Sequence, residues 1–211
     1  MMGPRARREK EKENMRNAIL EAATKIILEE GYDKLTMRKI ANLIEYTPTT
    51  IYLYYKDKAQ IVDDILIEVQ KRTILNAMTI SEENKDVSID KRLELIFKSF
   101  ISTMVSNAEM GRAVIRSGTK AMFRESDGTE PPEENGLFML HDLLLKGQQQ
   151  SVFRKLDENV SWMLLSALLG FSINAIENQL YLKADWDKQV NVYVEILING
   201  LLKEINDNER R

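Results

Sequence analysis

The sequence of 211 residues contains no cysteine and a single histidine, His141. The absence of cysteine excludes disulfides, thiolate metal sites and cysteine nucleophiles, and it is typical of proteins from reducing compartments. Because transition-metal sites are built mainly from imidazole and thiolate ligands, a lone histidine predicts that no such metal is bound. We therefore expect no metal, no cofactor and a cytoplasmic location.

The sequence also lacks features of secreted and membrane-spanning proteins. No apolar run follows the basic residues near the N-terminus, so no signal peptide is expected. The longest uncharged stretch runs from Val160 to Ile176 and is shorter than the ~20 residues that span a bilayer. It predicts a buried core helix, and no membrane partner is expected.

Residue patterns that carry catalysis are missing as well. There is no Gly-rich phosphate loop, and no serine stands at a recognisable spacing from a general base. The neighbouring carboxylates Glu133 and Glu134 lie in an acidic loop and not in an apolar site that would tune them for proton transfer. We expect that the protein is not an enzyme and has no catalytic residues.

Positive and negative side chains are unevenly distributed along the chain. The net charge is −3, yet residues 1–60 hold 12 Lys and Arg against 9 Asp and Glu, and the remainder holds 18 against 24. A basic first part followed by an acidic one indicates a polyanionic partner for the first part only. Solvated charged faces would give the same count, so the charge pattern needs support from motifs.

Most of the sequence has the apolar spacing that is typical of helices. In residues 15–31 the apolar side chains recur in steps of three and one along one face, and Gly31 ends the run. Beyond Thr79 longer amphipathic segments follow, and residues 126–135 read as a loop rich in proline and acids. Strand-like alternation persists nowhere, which predicts an all-α fold: a three-helix head followed by a larger helical body.

Residues 35–55 predict a helix-turn-helix. Thr36 and Thr47 are suited to cap two short helices joined by about four residues, with Pro48 at the first helical position of the second. Ile51 and Tyr55, four residues apart, would anchor this second helix from below. The residues predicted to face outward are Pro48, Thr49, Tyr52 and Leu53, with Thr50 near the boundary.

A helix of this width fits the major groove of DNA, where threonine hydroxyls and methyls contact base edges. Tyr54 and Lys58 would flank it as phosphate partners, while Thr36 and Arg38 open the preceding helix with chemistry suited to an anion. Spacing alone also allows a small helical subdomain with a tyrosine-rich surface and no role in DNA binding.

The segment of about residues 15–66 resembles the DNA-binding head of TetR-family repressors. Matching features are the small pair Ala22 and Ala23, Gly31 after the first helix, the pattern T-x-R-x-I-A from residue 36, and T-I-Y-x-Y-Y-x-x-K from residue 50. Two positions differ, because the family usually has glycine where this chain has Glu45 and Thr49. A non-glycine residue at positive φ costs ~1–2 kcal/mol, so the turn at Glu45 either avoids that region or is strained.

The resemblance implies an organisation and a set of contacts. It implies a DNA-binding domain over residues 1–56 and a helical ligand-binding and dimerisation domain over residues 57–211. The implied base-facing residues are Pro48, Thr49, Thr50, Tyr52 and Leu53, and the implied phosphate contacts are Thr36, Arg38, Thr47, Tyr54 and Lys58. The basic segment Arg5–Glu13 is expected either to follow the phosphates or enter a minor groove, or to be a frayed, solvated terminus.

The resemblance also implies that the body binds a small molecule and pairs with a second copy through its last two helices. The segment 160–176 is apolar on nearly every side, so a neighbouring subunit would cover part of it; a fully internal helix is the alternative. The predicted interface residues are Leu168, Phe171, Val194, Leu197 and Leu201. The candidate pocket residues are Phe97, Phe100, Met104, Phe123, His141 and Trp162, although aromatic and methionine side chains at helical spacing are more often plain core.

These expectations combine into one functional hypothesis. The chain is predicted to be a ligand-responsive regulator that binds a palindromic double-stranded DNA operator as a homodimer and is released by a small hydrophobic or amphipathic effector. In the proposed switch the ligand moves the fourth helix, which begins beside the DNA contacts. The alternative is a helical adaptor whose head binds protein and has no affinity for DNA.

Overall fold

The computed structural model of the chain describes residues 3–117 and 136–203. The helices in these ranges are α1 (Pro4–Glu30), α2 (Met37–Leu43), α3 (Pro48–Tyr52), α4 (Lys58–Glu83), α5 (Ile89–Ser106), α6 (Ala108–Ser117), α7 (Gly136–Gln149), α8 (Val160–Glu177) and α9 (Trp186–Asn199). Two short 3-10 turns lie at Tyr32–Lys34 and Leu180–Leu182. Within the described ranges there is no strand, only one isolated bridge between Phe153 and Leu202, and the predicted all-α fold is confirmed.

The described residues form two compact units. One contains the residues up to Gln70 together with those from Asn107 to Ser117, and the other contains Lys71–Ser106 and the residues from Gly136 onward. Helix α4 therefore supplies residues to both units, and α6 belongs to the first. The division of function at residue 56 stays a prediction, because packing does not reveal which segment binds which partner.

The core of the first unit forms from the helical faces that the sequence predicted. Buried side chains of α1, α2 and α4 surround Ile51 of α3, and Met110 and Ala113 of α6 complete the cluster. The predicted inner face of α4 is buried except at Val69, which is partly exposed at the margin of this core. The helical spacing of Ile40, Leu43 and Ile44 predicts that Leu43 points inward, but 44% of it is exposed, so that prediction is wrong. Leu43 is the last residue of α2, whereas Ile40 and Ala41, inside the helix, are fully buried.

Helix α1 ends at Gly31, whose φ of 85° and ψ of 162° favour glycine over any other residue. At its other end the helix begins at Pro4, so the segment Arg5–Glu13 is regular helix. The expectation of a frayed terminus is therefore wrong for this segment, and its contact with DNA stays a prediction. Ion pairs with i,i+4 spacing, Arg5 with Glu9 and Arg7 with Glu11, favour the helix there.

The second unit packs α5, α7, α8 and α9 around one apolar core. The predicted stripe of α5 is confirmed: Ile89, Leu93, Ile96, Phe97 and Ile101 are buried. The segment 152–154 pairs with the residues after α9, since Arg154 N–H donates to the Leu201 carbonyl and Lys203 N–H donates to the Val152 carbonyl. The expected loop at residues 126–135 lies outside the described residues.

Candidate nucleic-acid interface

Threonine caps set the two helices of the helix-turn-helix, as the sequence predicted. The Thr36 hydroxyl accepts from Lys39 N–H at 3.1 Å, and the Thr47 hydroxyl accepts from Thr50 N–H at 3.3 Å. Pro48 occupies the first turn of α3, where its missing N–H leaves no bond unmade. Both helices are thereby capped at their N-termini by hydrogen bonds between residues three positions apart.

The turn between α2 and α3 is closed by a left-handed residue that is not glycine. Glu45 has φ of 61°, and the next N–H, that of Tyr46, donates to the Ala41 carbonyl at 2.8 Å. This 6→1 bond is the closing bond of a Schellman turn. The sequence left open whether the turn at Glu45 avoids positive φ or is strained, and the structure has the strained turn.

The outer face of α3 is exposed, and its inner face is buried. Ile51 is fully buried, and Tyr55, just beyond the helix, is 1% exposed. On the other side Tyr52 is 57% exposed and Leu53 78% exposed. Neighbouring exposed apolar and aromatic side chains are typical of a surface that binds a partner.

The remaining predicted base-facing residues lie at the start of α3. Thr49 is exposed, whereas Pro48 and Thr50 are half-buried. The hydroxyl oxygens of Thr47 and Thr50 are 3.0 Å apart, so the two hydroxyls are linked at the helix start. All five predicted base-facing residues thus lie on one short segment, and their roles toward DNA stay predictions.

The predicted phosphate contacts surround the same segment. Thr36, Arg38 and Thr47 are exposed, and Tyr54 and Lys58 are half-buried. The capping hydroxyl of Thr36 uses an oxygen lone pair toward the backbone and keeps its proton for donation to an acceptor. That of Thr47 accepts from the backbone as well, and either it or the Thr50 hydroxyl donates in the contact between the two. Lys58 was predicted to be a simple flanking charge, but its ammonium lies 4.1 Å from the centroid of the Tyr32 ring.

A polar junction beneath the interface was missed by the sequence reading. One carboxylate oxygen of Asp64, Oδ2, accepts from the Arg16 guanidinium at 2.7 Å and from the Tyr55 hydroxyl at 2.9 Å. Burial, and next the hydrogen bond to Asp64, raise the pKa of Tyr55 to about 12. The pKa of Arg16 is raised as well, first by its hydrogen bond to Asp64. The three residues join α1, the end of the recognition segment and α4, a contact between positions 48 residues apart that no local pattern announces.

Tyr46 was also missed as a surface residue of the turn. It is 51% exposed and directly precedes the capping Thr47. Together with the exposed Leu43 it extends the apolar and aromatic surface beyond α3. Its position after the strained Glu45 could have been read from the sequence, but its exposure could not.

The predicted pocket residues that the structure describes differ in burial, and none of them lines the cleft described below. Phe97 is fully buried core, Phe100 and Met104 are half-buried, and Trp162 is 44% exposed. His141 is half-buried, with Nδ1 3.4 Å from the hydroxyl of the buried Ser161. Phe123 lies outside the described residues. Assignment of a ligand pocket to these residues stays a prediction.

The second unit does contain a half-open cleft between α5 and α9. Its volume is about 400 Å³. It is lined by Lys98, Ile101, Ser102, Trp186, Asp187, Val190 and Asn191. The lining combines an indole ring and aliphatic groups with charges of both signs, a mixture suited to an amphipathic molecule.

Three of the five predicted interface residues already fill the core of a single chain. Leu168, Val194 and Leu201 are buried there, so they have no surface to give to a second copy. Phe171 and Leu197 are half-buried, and the Phe171 ring stacks on Tyr193 at 4.0 Å and on Trp186 at 5.6 Å. The exposed apolar residues on these two helices are others: Trp162 and Met163 of α8, and Val192 and Ile196 of α9. Pairing through α8 and α9 stays a prediction, with these as its available contacts.

Two further properties concern other classes of site. In the described ranges no group of three or more His, Asp or Glu side chains is arranged to hold a metal ion. One described helix, α8, is long and apolar enough to cross a bilayer by length and composition, a test that core helices of globular proteins also pass. Part of α8 is buried in the core of the second unit, in keeping with the core helix that the sequence predicted.

The fold and the exposed recognition segment define a class: helical proteins with an N-terminal helix-turn-helix and a separate helical body. Residues 19–65 match the family model described as bacterial regulatory proteins, tetR family. The match lies within the segment whose resemblance to this family was noted from the sequence, and that resemblance is confirmed. Among curated proteins the chain has no match.

Solved structures share the fold over nearly the whole chain. A TetR-family transcriptional regulator from Pectobacterium atrosepticum is similar with a TM-score of 0.72 at 18% identity, covering 93% of this chain and 98% of that one. The fatty acid degradation regulator FadR from Bacillus halodurans gives a TM-score of 0.65 at 20% identity, covering 94% and 96%. RolR in complex with resorcinol gives 0.68 at 12% identity, covering 92% and 90%. At such identities the likeness establishes a common fold.

Proposed function

We propose that the protein is a cytoplasmic, DNA-binding transcription regulator that binds a palindromic operator as a homodimer, acts as a repressor and is released by a small hydrophobic or amphipathic effector. One observation carries the proposal. The face of α3 that includes Tyr52 and Leu53 is exposed, while Ile51 and Tyr55 anchor the other side. A short helix presented in this way, after a second helix and a tight turn, is suited to enter a major groove.

The contacts divide into two groups by chemistry. Threonine methyls and hydroxyls with the side chains of Tyr52 and Leu53 would face the bases, where apolar atoms meet thymine methyls. Thr36, Arg38, Thr47, Tyr54 and Lys58 would face the phosphates. Because phosphate contacts fix the register and base contacts supply specificity, substitutions in the two groups should affect binding differently.

Pairing of two chains would place two recognition helices about one turn of B-DNA apart, ~34–36 Å. The exposed Met163 of α8 and the exposed Ile196 of α9, each 63% accessible, support such pairing. Apolar side chains this exposed on neighbouring elements are typical of an association surface. Covering them by a second copy with the same patch gives a closed dimer.

The effector is proposed to act from the second unit on the first. The cleft between α5 and α9 has the size and mixed lining of a small-molecule site. Proteins of similar fold favour such an effector, since RolR was solved with resorcinol, a small aromatic diol, and FadR is a regulator of fatty acid degradation. Helix α4 supplies residues to both units, so a shift of α4 would change the position of Lys58 and the preceding turn. Loss of simultaneous contact with two half-sites would then release the DNA.

The deciding experiment is selection of bound duplexes from a random pool, repeated with candidate effectors. We expect enrichment of a palindromic site whose binding constant falls steeply with salt, because several phosphates are neutralised. Tyr52→Ala should abolish preference for that site, and Lys58→Ala should weaken binding to all duplexes. Lys91→Ala, which removes an exposed charge of α5, is the control and should bind as the wild type does. No affinity for any duplex at low salt would reject the proposal in favour of a protein-binding adaptor.

A further inference from the structure

Lys58 is held in place before any partner arrives. Its Nζ lies 4.1 Å from the centroid of the Tyr32 ring and donates to the Tyr32 carbonyl oxygen at 3.4 Å. An ammonium over a phenol ring is attracted by the ring quadrupole. One residue, Tyr32, therefore supplies both a ring face and a carbonyl to the same cation, 26 positions away in sequence.

The position of Tyr32 is itself fixed by its surroundings. Gly31, with its φ of 85°, turns the chain out of α1, and the 3-10 turn Tyr32–Lys34 follows at once. The Tyr32 carbonyl also accepts from Leu35 N–H at 3.1 Å, and Leu35 is fully buried. Next to it, Asp33 pairs with Arg116 of α6 at 2.5 Å. The ring that holds Lys58 thus belongs to a turn that is secured on both sides.

The charges around this site make the placement of the ammonium important. Burial raises the pKa of the Tyr32 hydroxyl, and Asp57, Asp33 and Asp63 raise it further in that order. Arg116 on Asp33 and Lys56 near Asp57 offset part of this negative charge. A fixed position for the Lys58 ammonium adds a further cation at the start of α4.

We propose that Tyr32 is a positioning residue for DNA binding, whose ring and carbonyl hold the Lys58 ammonium ready for a backbone phosphate. An ammonium has three N–H donors, and the carbonyl and the ring face engage two of them. The third is left to donate to a phosphate oxygen. A free lysine has to give up considerable rotamer entropy to make one such contact, and prior placement removes most of that cost. This inference rests on the proposed function, because it assigns Lys58 to a phosphate.

A double-substitution cycle tests it, with a random-sequence duplex and the selected operator as probes. Lys58→Met keeps the stem over the ring and removes the charge. We expect it to weaken binding to both duplexes about tenfold and to reduce the salt slope by about 0.9. Tyr32→Leu removes the ring and keeps an apolar side chain and the carbonyl. It should weaken both duplexes about two- to fivefold. Tyr32→Phe, the matched control, keeps the ring and should bind as the wild type does.

The decisive comparison is Tyr32→Leu in the Lys58→Met background, where it should have no further effect on either duplex. An equal loss in both backgrounds would show that Tyr32 supports the fold in general, and would overturn the inference. An effect of Tyr32→Phe as large as that of Tyr32→Leu would overturn it too, and so would normal binding by Lys58→Met. If Lys58→Met binds normally but the wild type still selects an operator, the inference about Tyr32 fails and the proposed function is retained.

An NMR measurement without DNA tests the contact between Lys58 and the Tyr32 ring independently of its effect on DNA binding. Protons on Cε of Lys58 should resonate upfield in the wild type because they lie over an aromatic ring. That shift should persist in Tyr32→Phe and vanish in Tyr32→Leu, with thermal unfolding confirming that each variant is folded. No upfield shift in the wild type would mean that the ring does not hold the lysine, whatever the duplex measurements show.

Discussion

The Tyr55 hydroxyl donates a hydrogen bond of 2.9 Å to Oδ2 of Asp64. The same oxygen accepts from Arg16 of α1, whose guanidinium also lies 4.9 Å from the centroid of the Tyr55 ring. A side chain directly after the recognition helix is therefore tied to two long helices at once. The relationship orients the exposed face of α3 from below, through side chains that are themselves only partly buried at Arg16 and Asp64.

The first prediction concerns the pH dependence of this junction. The folded-state pKa of Tyr55 is about 12 against an ordinary value of 10.0, because burial and the bond to Asp64 both favour the neutral phenol. A raised pKa means that the stabilisation is complete below pH 10 and is lost as pH rises through about 12. Tyr55→Phe should be about 1 kcal/mol less stable than the wild type at neutral pH, since one hydrogen bond is lost. Above pH 10 the gap should close and then reverse in denaturant unfolding. A gap that stays constant across that range would contradict the assignment.

The second prediction concerns the strained turn. Glu45 has φ of 61°, a conformation that costs a non-glycine residue ~1–2 kcal/mol. Glu45→Gly should raise the free energy of unfolding by about 1 kcal/mol, measured by chemical denaturation. The matched control is Glu21→Gly, the same substitution at an exposed position inside α1, which should lower it by about 0.5–1 kcal/mol. If both variants are destabilised, the turn is not strained.

The third prediction concerns the close approach of α7 to Phe153. A Cβ on Gly147 would lie 2.0 Å from Cδ2 of the buried Phe153 ring, so the ring would have to move. Gly147→Ala should cost about 1–3 kcal/mol through overpacking, which outweighs the helix propensity of alanine. Gly170→Ala in α8 meets no atom within 4 Å and should instead be neutral or stabilising by up to about 1 kcal/mol. Thermal unfolding at one protein concentration compares the two, and equal effects would refute the packing argument.

The fourth prediction tests pairing with a surface residue. Ile196 is 63% exposed, so Ile196→Asp should leave the chain folded and convert dimers to monomers in sedimentation analysis. Leu75→Asp on α4 makes the same change at a residue that is 62% exposed and serves as the control. A substitution at the buried Val194 would confound loss of pairing with loss of folding. Unchanged sedimentation of the Ile196 variant would exclude this face of α9 as the interface.

The fifth prediction separates the two roles of Thr47. Its hydroxyl caps α3 by accepting from Thr50 N–H, lies 3.0 Å from the Thr50 hydroxyl, and is predicted to contact a phosphate. Thr47→Ala should lower stability by about 1 kcal/mol and weaken binding to every duplex, whereas Thr47→Ser keeps both functions. Titration of a random-sequence duplex, together with denaturant unfolding, measures the two effects. Normal affinity in the alanine variant would restrict Thr47 to capping.

Local patterns of the sequence predicted much of the first unit. Caps at Thr36 and Thr47, the proline at the first turn of α3 and the anchor Ile51 are all short-range features, and each is confirmed. The same kind of reading failed at Leu43 and at the segment 5–13. At Leu43 the end of a helix exposed a residue of the apolar stripe, and in the segment 5–13 ion pairs extended a helix that had been expected to fray.

The body shows why apolar stripes alone do not identify an interface. The stripe of α9 predicted a surface for a second copy, but Val194 and Leu201 complete the core of one chain. An apolar side chain gains the same free energy from burial against its own chain as against a partner. Periodicity therefore indicates that a helix face is buried. Only the packing of α5, α7 and α8 determines whether the same chain or a second copy buries it.

By itself the sequence determined the helices, their caps and the character of the recognition segment, because these depend on neighbours within a few residues. Tertiary structure alone decided the strain at Glu45, the junction at Asp64 and the placement of Lys58 over Tyr32. Each of the last two joins positions that no repeat or motif relates, and the strain depends on how α2 and α3 pack. Contacts between side chains that are distant in sequence depend on how the helices pack. That packing is determined only by the assembled core of each unit.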